Sequence, residues 1–259
     1  MKSLIKKVGT LLSKDNYPQE NNYCVSNEGI IGLFKTPIGE YYLPNNNPRD
    51  SVINEMKAGR FFESEIIETA REFIKPNTSV LDIGAHFGQM SIEFSKMVGK
   101  SGAVYSFEAD DFIFSLLNKN VAINSCNNVK TILGAVYNVE DEEKFYPKQD
   151  FERFGSYGSY GIDNLAKEGR KVKTLTIDSL NIKDEISFIK VDIQGSDLFA
   201  LQGAKQTIIR NKMPILFEFE QQFQKEFNTT FQDYVDFFMS INYKFERVVN
   251  GINYLMFPK

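Results

Sequence analysis

Asp82-Ile83-Gly84-Ala85-His86-Phe87-Gly88 stands directly after a short apolar run and directly before a helical pattern. Glycines in such a turn let the backbone bend tightly and come close to a ligand. The helix start behind it offers N–H groups with no partner of their own. The spacing is Gly-x-x-x-Gly, unlike the Gly-x-Gly-x-x-Gly of a dinucleotide pyrophosphate site. Glu108 ends the next strand-like run, 24 residues beyond Gly84. A carboxylate at that point accepts hydrogen bonds from both ribose hydroxyls of an adenosine-containing cofactor.

Asp192 stands where a third apolar run gives out, in Phe188-Ile189-Lys190-Val191-Asp192-Ile193-Gln194-Gly195-Ser196-Asp197. A carboxylate in such a strand is costly unless it is paired or used. Asp192 is either a working group of the site or a cap of the helix that follows. Lys190 is read first as structural. In Pro214-Ile215-Leu216-Phe217-Glu218-Phe219-Glu220, alternation puts both glutamates on one face and both phenylalanines on the other. Glu218 and Glu220 mark either the rim of an active site or structural partners for Lys or Arg. The single histidine, His86, excludes a multi-His metal centre, and no metal site is expected.

These groups need elements to position them. Ser79 to Ile83, Gly102 to Phe107 and Val129 to Val136 read as strands, with helices over Met90 to Met97 and Asp110 to Asn124. Ile186 to Ile193 and Met213 to Phe219 read as further buried strands, with helices over Leu198 to Arg210 and Phe231 to Ile241. Such alternation predicts a parallel sheet covered on both faces. At the end, Tyr243 to Val249 and Ile252 to Phe257 flank Asn250-Gly251, a type I′ hairpin signal. A Rossmann-like methyltransferase sheet ends in such an antiparallel hairpin; a dinucleotide-binding sheet continues in parallel.

Residues 1–75 read as an N-terminal extension and 76–259 as the Rossmann-like domain. The extension is expected to hold a hairpin over Gly29 to Leu43 and one helix over Ser51 to Ile74. Met1 to Lys14 reads as a short basic amphipathic helix, which either packs on its own domain or touches an anionic membrane surface weakly. Asn138 to Asp150 is polar, and Lys171 to Ile177 reads as an additional strand.

The 259 residues carry a net charge of -4. That balance disfavours a dedicated nucleic-acid binder, which needs a positive surface against phosphates. Cys24 and Cys126 lie far apart and read as reduced thiols of a cytoplasmic protein. No apolar run approaches the ~20 residues that span a bilayer.

In their order and spacing these segments resemble the FkbM family of S-adenosylmethionine-dependent methyltransferases, from about Glu40 to Glu220. The matching features are Gly59-Arg60-Phe61-Phe62-Glu63, the glycine turn, Ser106-Phe107-Glu108-Ala109, Asn120 to Asn124, Gly134-Ala135-Val136, Ile177-Asp178-Ser179-Leu180 and Ile189 to Asp197. Gln194 and Asp197 stand where the family commonly has Glu, and His86 where Asn is common.

The resemblance implies a class I methyltransferase fold, S-adenosylmethionine as cofactor, and O-methylation, typically of sugar hydroxyls in surface glycans or natural products. It implies a cofactor site made of Glu63, Asp82, Gly84, Ala85, His86, Gly88, Glu108, Ala109, Ala135, Val136 and Asp192. Gly84, His86 and Gly88 are expected on the methionine and ribose side, with Ala135 and Val136 beside adenine. Asp192 is the first candidate for a general base, with Glu218, Glu220 and His86 as the others. Phe151 to Gly161 is expected to form a lid whose Tyr157 and Tyr160 stack on a sugar. The alternatives are an N-methyltransferase, a nicotinamide-dependent oxidoreductase and a non-catalytic binding module.

Overall fold

The computed structural model describes residues 24–259, apart from 29, 148–150, 165 and 167. The amphipathic helix expected over Met1 to Lys14 lies outside the described residues.

Three antiparallel strands come first: β1 (Cys24–Glu28), β2 (Ile31–Thr36) and β3 (Gly39–Pro44), paired in that order. The hairpin read from the sequence is β2 and β3; β1 is an extra strand on its edge. The single helix expected over Ser51 to Ile74 is two, α1 (Ser51–Lys57) and α2 (Ser64–Phe73). The break has a steric origin. Gly59 has φ +73°, and a Cβ there would lie 2.7 Å from Cδ of Pro37 in the β2–β3 turn. Glu63 then starts α2 from a left-handed conformation.

The main sheet alternates β4 (Ser79–Ile83), α3 (Gln89–Val98), β5 (Ala103–Glu108), α4 (Asp111–Ile123) and β6 (Val129–Leu133). The expected third strand divides at Gly134. Its end becomes β7 (Ala135–Val136), which joins β8 (Glu143–Tyr146) and β9 (Arg170–Leu175) in a small sheet of order β7-β9-β8. The chain then re-enters the main sheet through β10 (Ile186–Val191), α5 (Asp197–Gly203), α6 (Lys205–Asn211), β11 (Ile215–Glu218), α7 (Phe231–Ser240), β12 (Tyr243–Val249) and β13 (Asn253–Pro258). The helix expected over Leu198 to Arg210 is thus also two, parted at Ala204.

The strand order is β12-β13-β11-β10-β4-β5-β6. Every pair from β11 to β6 is parallel, and β13 runs antiparallel to both β11 and β12. Asn250 and Gly251 both have positive φ at the tip of the last hairpin, but Val249 pairs with Asn253, so the loop holds three residues and not the two of the expected type I′ turn. β4 and β10 are fully buried, which is why both read as mostly apolar runs, with Asp82 and Lys190 as their charged exceptions.

Apolar side chains cover both faces. One cluster joins Leu81, Val191 and Phe217 to α5 and α7; another joins Val80 and Phe188 to Ile66, Ile67 and Ala70 of α2. The first three strands are tied on by asparagines of α4. Asn120 accepts from Tyr42 N and donates to the Phe87 carbonyl at 2.9 Å, so one side chain links β3 to the glycine turn. Among the described residues, no helix is long and apolar enough to cross a membrane.

Candidate active site

The sheet reverses its direction of growth between β4 and β10: β5 and β6 follow on one side, β11 on the other. Ligands of open α/β sheets sit at the carboxyl ends of the strands at such a point. Ile83 pairs with Val191 across it, and Asp192 N donates to the Ile83 carbonyl at 3.0 Å. The glycine turn is anchored on its other side. Gly84 N and Ala85 N both donate to the Phe107 carbonyl, at 3.0 and 2.9 Å. His86 follows with φ +50° and donates its N–H to Glu108 Oε2 at 2.9 Å. Glu108 Oε1 accepts from Asp110 N at 2.8 Å. One carboxylate therefore holds together the glycine turn and the start of α4.

A cleft of about 290 Å³ opens here. Glu63, Gly84, Ala85, His86, Glu108, Ala109, Ala135, Val136, Asp192 and Glu218 all line it, as does Glu220. Two residues expected in the cofactor site are not in its wall. Gly88 is the N-cap of α3, with φ +86°. Asp82 is fully buried behind the strand ends, where it accepts from Ser91 Oγ and faces Lys190. In this position Gly88 shapes the start of α3 and Asp82 ties α3 to β10.

Lys190 is the residue whose part was missed. It is 3% exposed. Its ammonium donates to the Gly84 carbonyl at 2.8 Å and lies 3.3 Å from Asp192 and 3.7 Å from Asp82. Burial alone would lower its pKa, but Asp192, Asp82 and Glu63 hold it above the ordinary lysine value. The same ion pair governs Asp192. Burial pushes that carboxyl up, yet Lys190 first, then hydrogen bonds from Glu218, Lys190 and Gln194, bring it below its usual range. Glu218 moves the other way: burial and the charges of Asp192, Asp197, Glu220 and Glu63 keep it protonated. The two carboxyls that read alike in the sequence are thus an anion and a neutral acid.

The remaining groups are set mainly by burial. Glu108 is raised to about 7 by burial, against backbone hydrogen bonds that lower it. Glu63 is raised to about 7 by burial and by Asp192, while its Oε1 accepts from Asn250 Nδ2 at 3.1 Å. Burial lowers His86 to about 3, so its imidazole is neutral, and its Nε2 is buried without a hydrogen-bond partner.

Residues 156–162 close one side of the cleft. The loop before α1 clasps them: Asn47 Nδ2 donates to the Gly155 carbonyl at 2.7 Å, Tyr157 N to Asp50 Oδ2 at 2.8 Å, and Tyr157 Oη to Asn46 Oδ1 at 2.9 Å. The Tyr157 ring packs among Phe87, Phe112 and Phe151. With its hydroxyl committed and its ring buried, Tyr157 serves as a packing residue here and not as the sugar platform expected of it. Tyr146, in the wall beside it, donates its hydroxyl to the Tyr160 carbonyl at 2.8 Å. No sequence signal marked Tyr146, because it sits in β8, a four-residue strand within a polar stretch.

The strand order, the antiparallel β13 and the glycine turn at the switch point define an α/β fold of the class I methyltransferase type. The methyltransferase FkbM domain model matches residues 82–245, and the chain belongs to that family. Among curated proteins, a probable cobalt-precorrin-6B C(15)-methyltransferase (decarboxylating) from Thermoplasma acidophilum is 29% identical over 85 residues, 32% of this chain and 42% of that protein. Among solved structures, an FkbM methyltransferase from Methylobacillus flagellatus KT shares 18% identity, with a TM-score of 0.46 over 74% of this chain and 50% of that one. A putative rRNA methylase from Clostridium thermocellum shares 11%, with a TM-score of 0.44 over 74% and 92%. The chain thus spans half or less of the curated relative and of the FkbM structure.

Proposed function

We propose that the protein is an S-adenosylmethionine-dependent methyltransferase that acts on a hydroxyl, foremost a sugar hydroxyl of a small molecule or glycan. One observation carries the cofactor reading. Five carboxyl side chains line the cleft (Glu63, Glu108, Asp192, Glu218 and Glu220) against one basic side chain, Lys190, which is itself paired. Carboxyl groups so crowded ionise most readily against an incoming cation, and they offer no free positive charge to a pyrophosphate. S-adenosylmethionine brings a sulfonium and an ammonium against one carboxylate; a nicotinamide dinucleotide brings two phosphates.

The residues present fit that cofactor. Glu108 stands at the end of β5 to accept the ribose hydroxyls, and Ala109, Ala135 and Val136 offer an apolar wall for adenine. The unpartnered, neutral His86 Nε2 is available for a hydrogen bond from the ligand. The cofactor supplies the methyl group on its sulfonium; the chain supplies alignment and a proton acceptor. In-line positioning is worth up to about 7–11 kcal/mol in favourable systems.

Hydroxyl chemistry is supported by Asp192. A hydroxyl is a poor nucleophile until its proton is leaving, and a positioned base adds roughly 10²–10⁴-fold. Asp192 is the anion of the cleft, held so by Lys190. A neutral amino group, by contrast, is a nucleophile without such a base. The test has two parts. Calorimetry should detect S-adenosylmethionine and no NADH. Labelled S-adenosylmethionine, offered with neutral sugars, amino sugars, glycans and tRNA, should place its methyl on a sugar oxygen. Labelling confined to tRNA, or tight NADH binding, would overturn the reading.

A further inference from the structure

Along the open edge of the sheet the working residues follow the strand order: Glu108 on β5, the Gly84 turn after β4, Asp192 after β10 and Glu218 on β11. Adjacent strands lie about 4.8 Å apart, so Glu108 and Glu218 stand about 14 Å from one another across the cleft. A cofactor whose ribose meets Glu108 leaves the β11 end to the acceptor. The side chains that donate to its glutamates are neutral amides, Gln222 Nε2 reaching Glu220 Oε2 at 2.9 Å. Glu218, 7% exposed, and Glu220 come from β11 and the residues just after it. Glu63 reaches the same region, fastened to the last hairpin through Asn250. Gln194 Nε2 is a neutral donor shared between Asp192 at 3.3 Å and Glu218 at 3.2 Å. Lys190 is taken up by Asp192, Asp82 and the Gly84 carbonyl. A second feature points the same way: Asn253, the β13 register partner of Glu218, is 1% exposed and its Oδ1 is buried without a hydrogen-bond partner.

We infer that the acceptor bears an ammonium group beside the hydroxyl that is methylated, as an amino sugar does, and that Glu218 and Glu220 recognise it. The inference rests on the methyl-transfer reading above and names its acceptor class. Buried carboxyl groups are stable as anions only when paired. An ammonium brings charge and three donors at once, where a neutral hydroxyl brings a donor alone and a uronic acid or phosphate brings repulsion. The proton that Glu218 retains in a crowd of carboxylates is the one an incoming ammonium displaces. An acceptor nitrogen held as an ammonium against these carboxyls carries no lone pair and is not methylated.

Three oligosaccharides with the same β-1,4 linkage and different substituents at C2 serve as probes: chitosan (amine), chitin (N-acetyl) and cello-oligosaccharide (hydroxyl). Their binding is measured by calorimetry at about pH 5.5, where the chitosan amine is an ammonium, on the full chain loaded with S-adenosylhomocysteine. Chitosan oligomers are expected to bind at least about tenfold more tightly than the other two, the scale of a charge-assisted contact. Glu220→Gln is expected to bring the chitosan and cello-oligosaccharide affinities within about threefold of each other. Equal affinity for all three, no binding of any, or a preference that survives both Glu220→Gln and Glu218→Gln would overturn the inference. Methyl transfer separates the two levels of reading. Methyl on the nitrogen of a preferred amine sinks the hydroxyl reading and leaves amine recognition standing. Methyl on oxygen without amine preference does the reverse.

Discussion

Gly84 and Asp192 meet backbone to backbone: a Cβ on Gly84 would stand 1.9 Å from the Asp192 carbonyl oxygen and 3.0 Å from Ile193 Cγ2. The cofactor turn and the proposed base are therefore one rigid piece, joined where β4 and β10 separate. Gly84 also has φ +85°, which costs a residue with a side chain roughly 1–2 kcal/mol on its own. Gly84→Ala combines that strain with a backbone clash, and the expected loss of stability is about 3 kcal/mol or more. Urea unfolding of the variant measures it; a change under about 1 kcal/mol would show that the two segments move apart freely.

Glu108→Ala is expected to weaken S-adenosylmethionine binding by about 1–3 kcal/mol, through ribose hydroxyls left without partners. It also frees the N–H groups of His86 and Asp110, so the thermal midpoint of the ligand-free protein should fall as well. Glu108→Gln separates these effects, since its amide oxygen keeps one of the two backbone bonds. Unchanged affinity in both variants, measured by calorimetry, would remove Glu108 from the cofactor site.

Three carboxyl groups, Glu63, Glu108 and Asp197, are raised by burial to about 7 from ordinary values of 4.5, 4.5 and 3.8. Between about pH 4 and 7 the folded protein holds protons that the unfolded chain has released. Stability contributed by these groups is fully present below their unfolded values and is lost as pH rises through about 7. The slope is about 1.4 kcal/mol per pH unit for each such proton. Urea midpoints from pH 5 to 7.5 are expected to decline. A cation placed against Glu63 favours its charged form, so S-adenosylmethionine binding at pH 6 should release protons, read as a dependence of binding heat on buffer ionisation enthalpy. A stability that climbs from pH 5 to 7.5 would contradict the raised values.

Tyr157 makes the segment over the cleft part of the core. Its ring lies 6.0 Å from Phe87 of the glycine turn and 4.8 Å from Phe151, centroid to centroid. Tyr157→Ala is expected to cost about 3 kcal/mol of stability, in the range of large aromatic truncations. It should also weaken cofactor binding, because Phe87 adjoins His86. Asn47→Ala removes the clasp to the Gly155 carbonyl and the acceptor for Arg49 N, and should cost about 1–2 kcal/mol. Proteolysis within 156–162 that is faster in Asn47→Ala, yet suppressed by S-adenosylmethionine, would confirm that the clasp and the ligand hold the same segment. Equal rates in native and variant protein would reject the clasp.

Most of the main sheet is legible in the sequence because β4, β5, β10 and β11 are apolar runs whose burial needs no knowledge of their neighbours. Glu108 and the glycine turn were legible for a similar reason, since each is fixed by its place at the end of its own strand. What was not legible depends on contacts between distant segments. Nothing local announces that Gly59 must pass against Pro37, and so one helix reads where two exist. Lys190 and Asp82 are register partners on adjacent strands, 108 positions apart in the chain, and only the sheet order reveals the pair. Asp82, one of the residues expected at the ligand, is behind the site for the same reason.

That pair leads to the prediction on which the catalytic reading turns. Asp192→Asn keeps the shape of the side chain and removes its basicity. With Asp192 as the base, kcat should fall by about 10²-fold or more while cofactor affinity stays within a few-fold of native. A variant that keeps most of its kcat would leave the chemistry to positioning, and one that loses the cofactor would make Asp192 a cofactor ligand. Lys190 supplies the independent check. It holds the Asp192 carboxyl below its ordinary value, so the acid limb of the native kcat profile should lie below the usual carboxylate range. Lys190→Met leaves Asp82 and Asp192 buried without their cation, at an expected cost of about 3–5 kcal/mol. In whatever fraction remains folded, Asp192 should gain a proton more readily, and the acid limb should move to higher pH. Lys190→Arg keeps the charge and should hold the limb near its native position, even where the bulkier head group lowers stability. An acid limb that ignores Lys190→Met would mean that the titrating base is another residue, with Glu218 next in line.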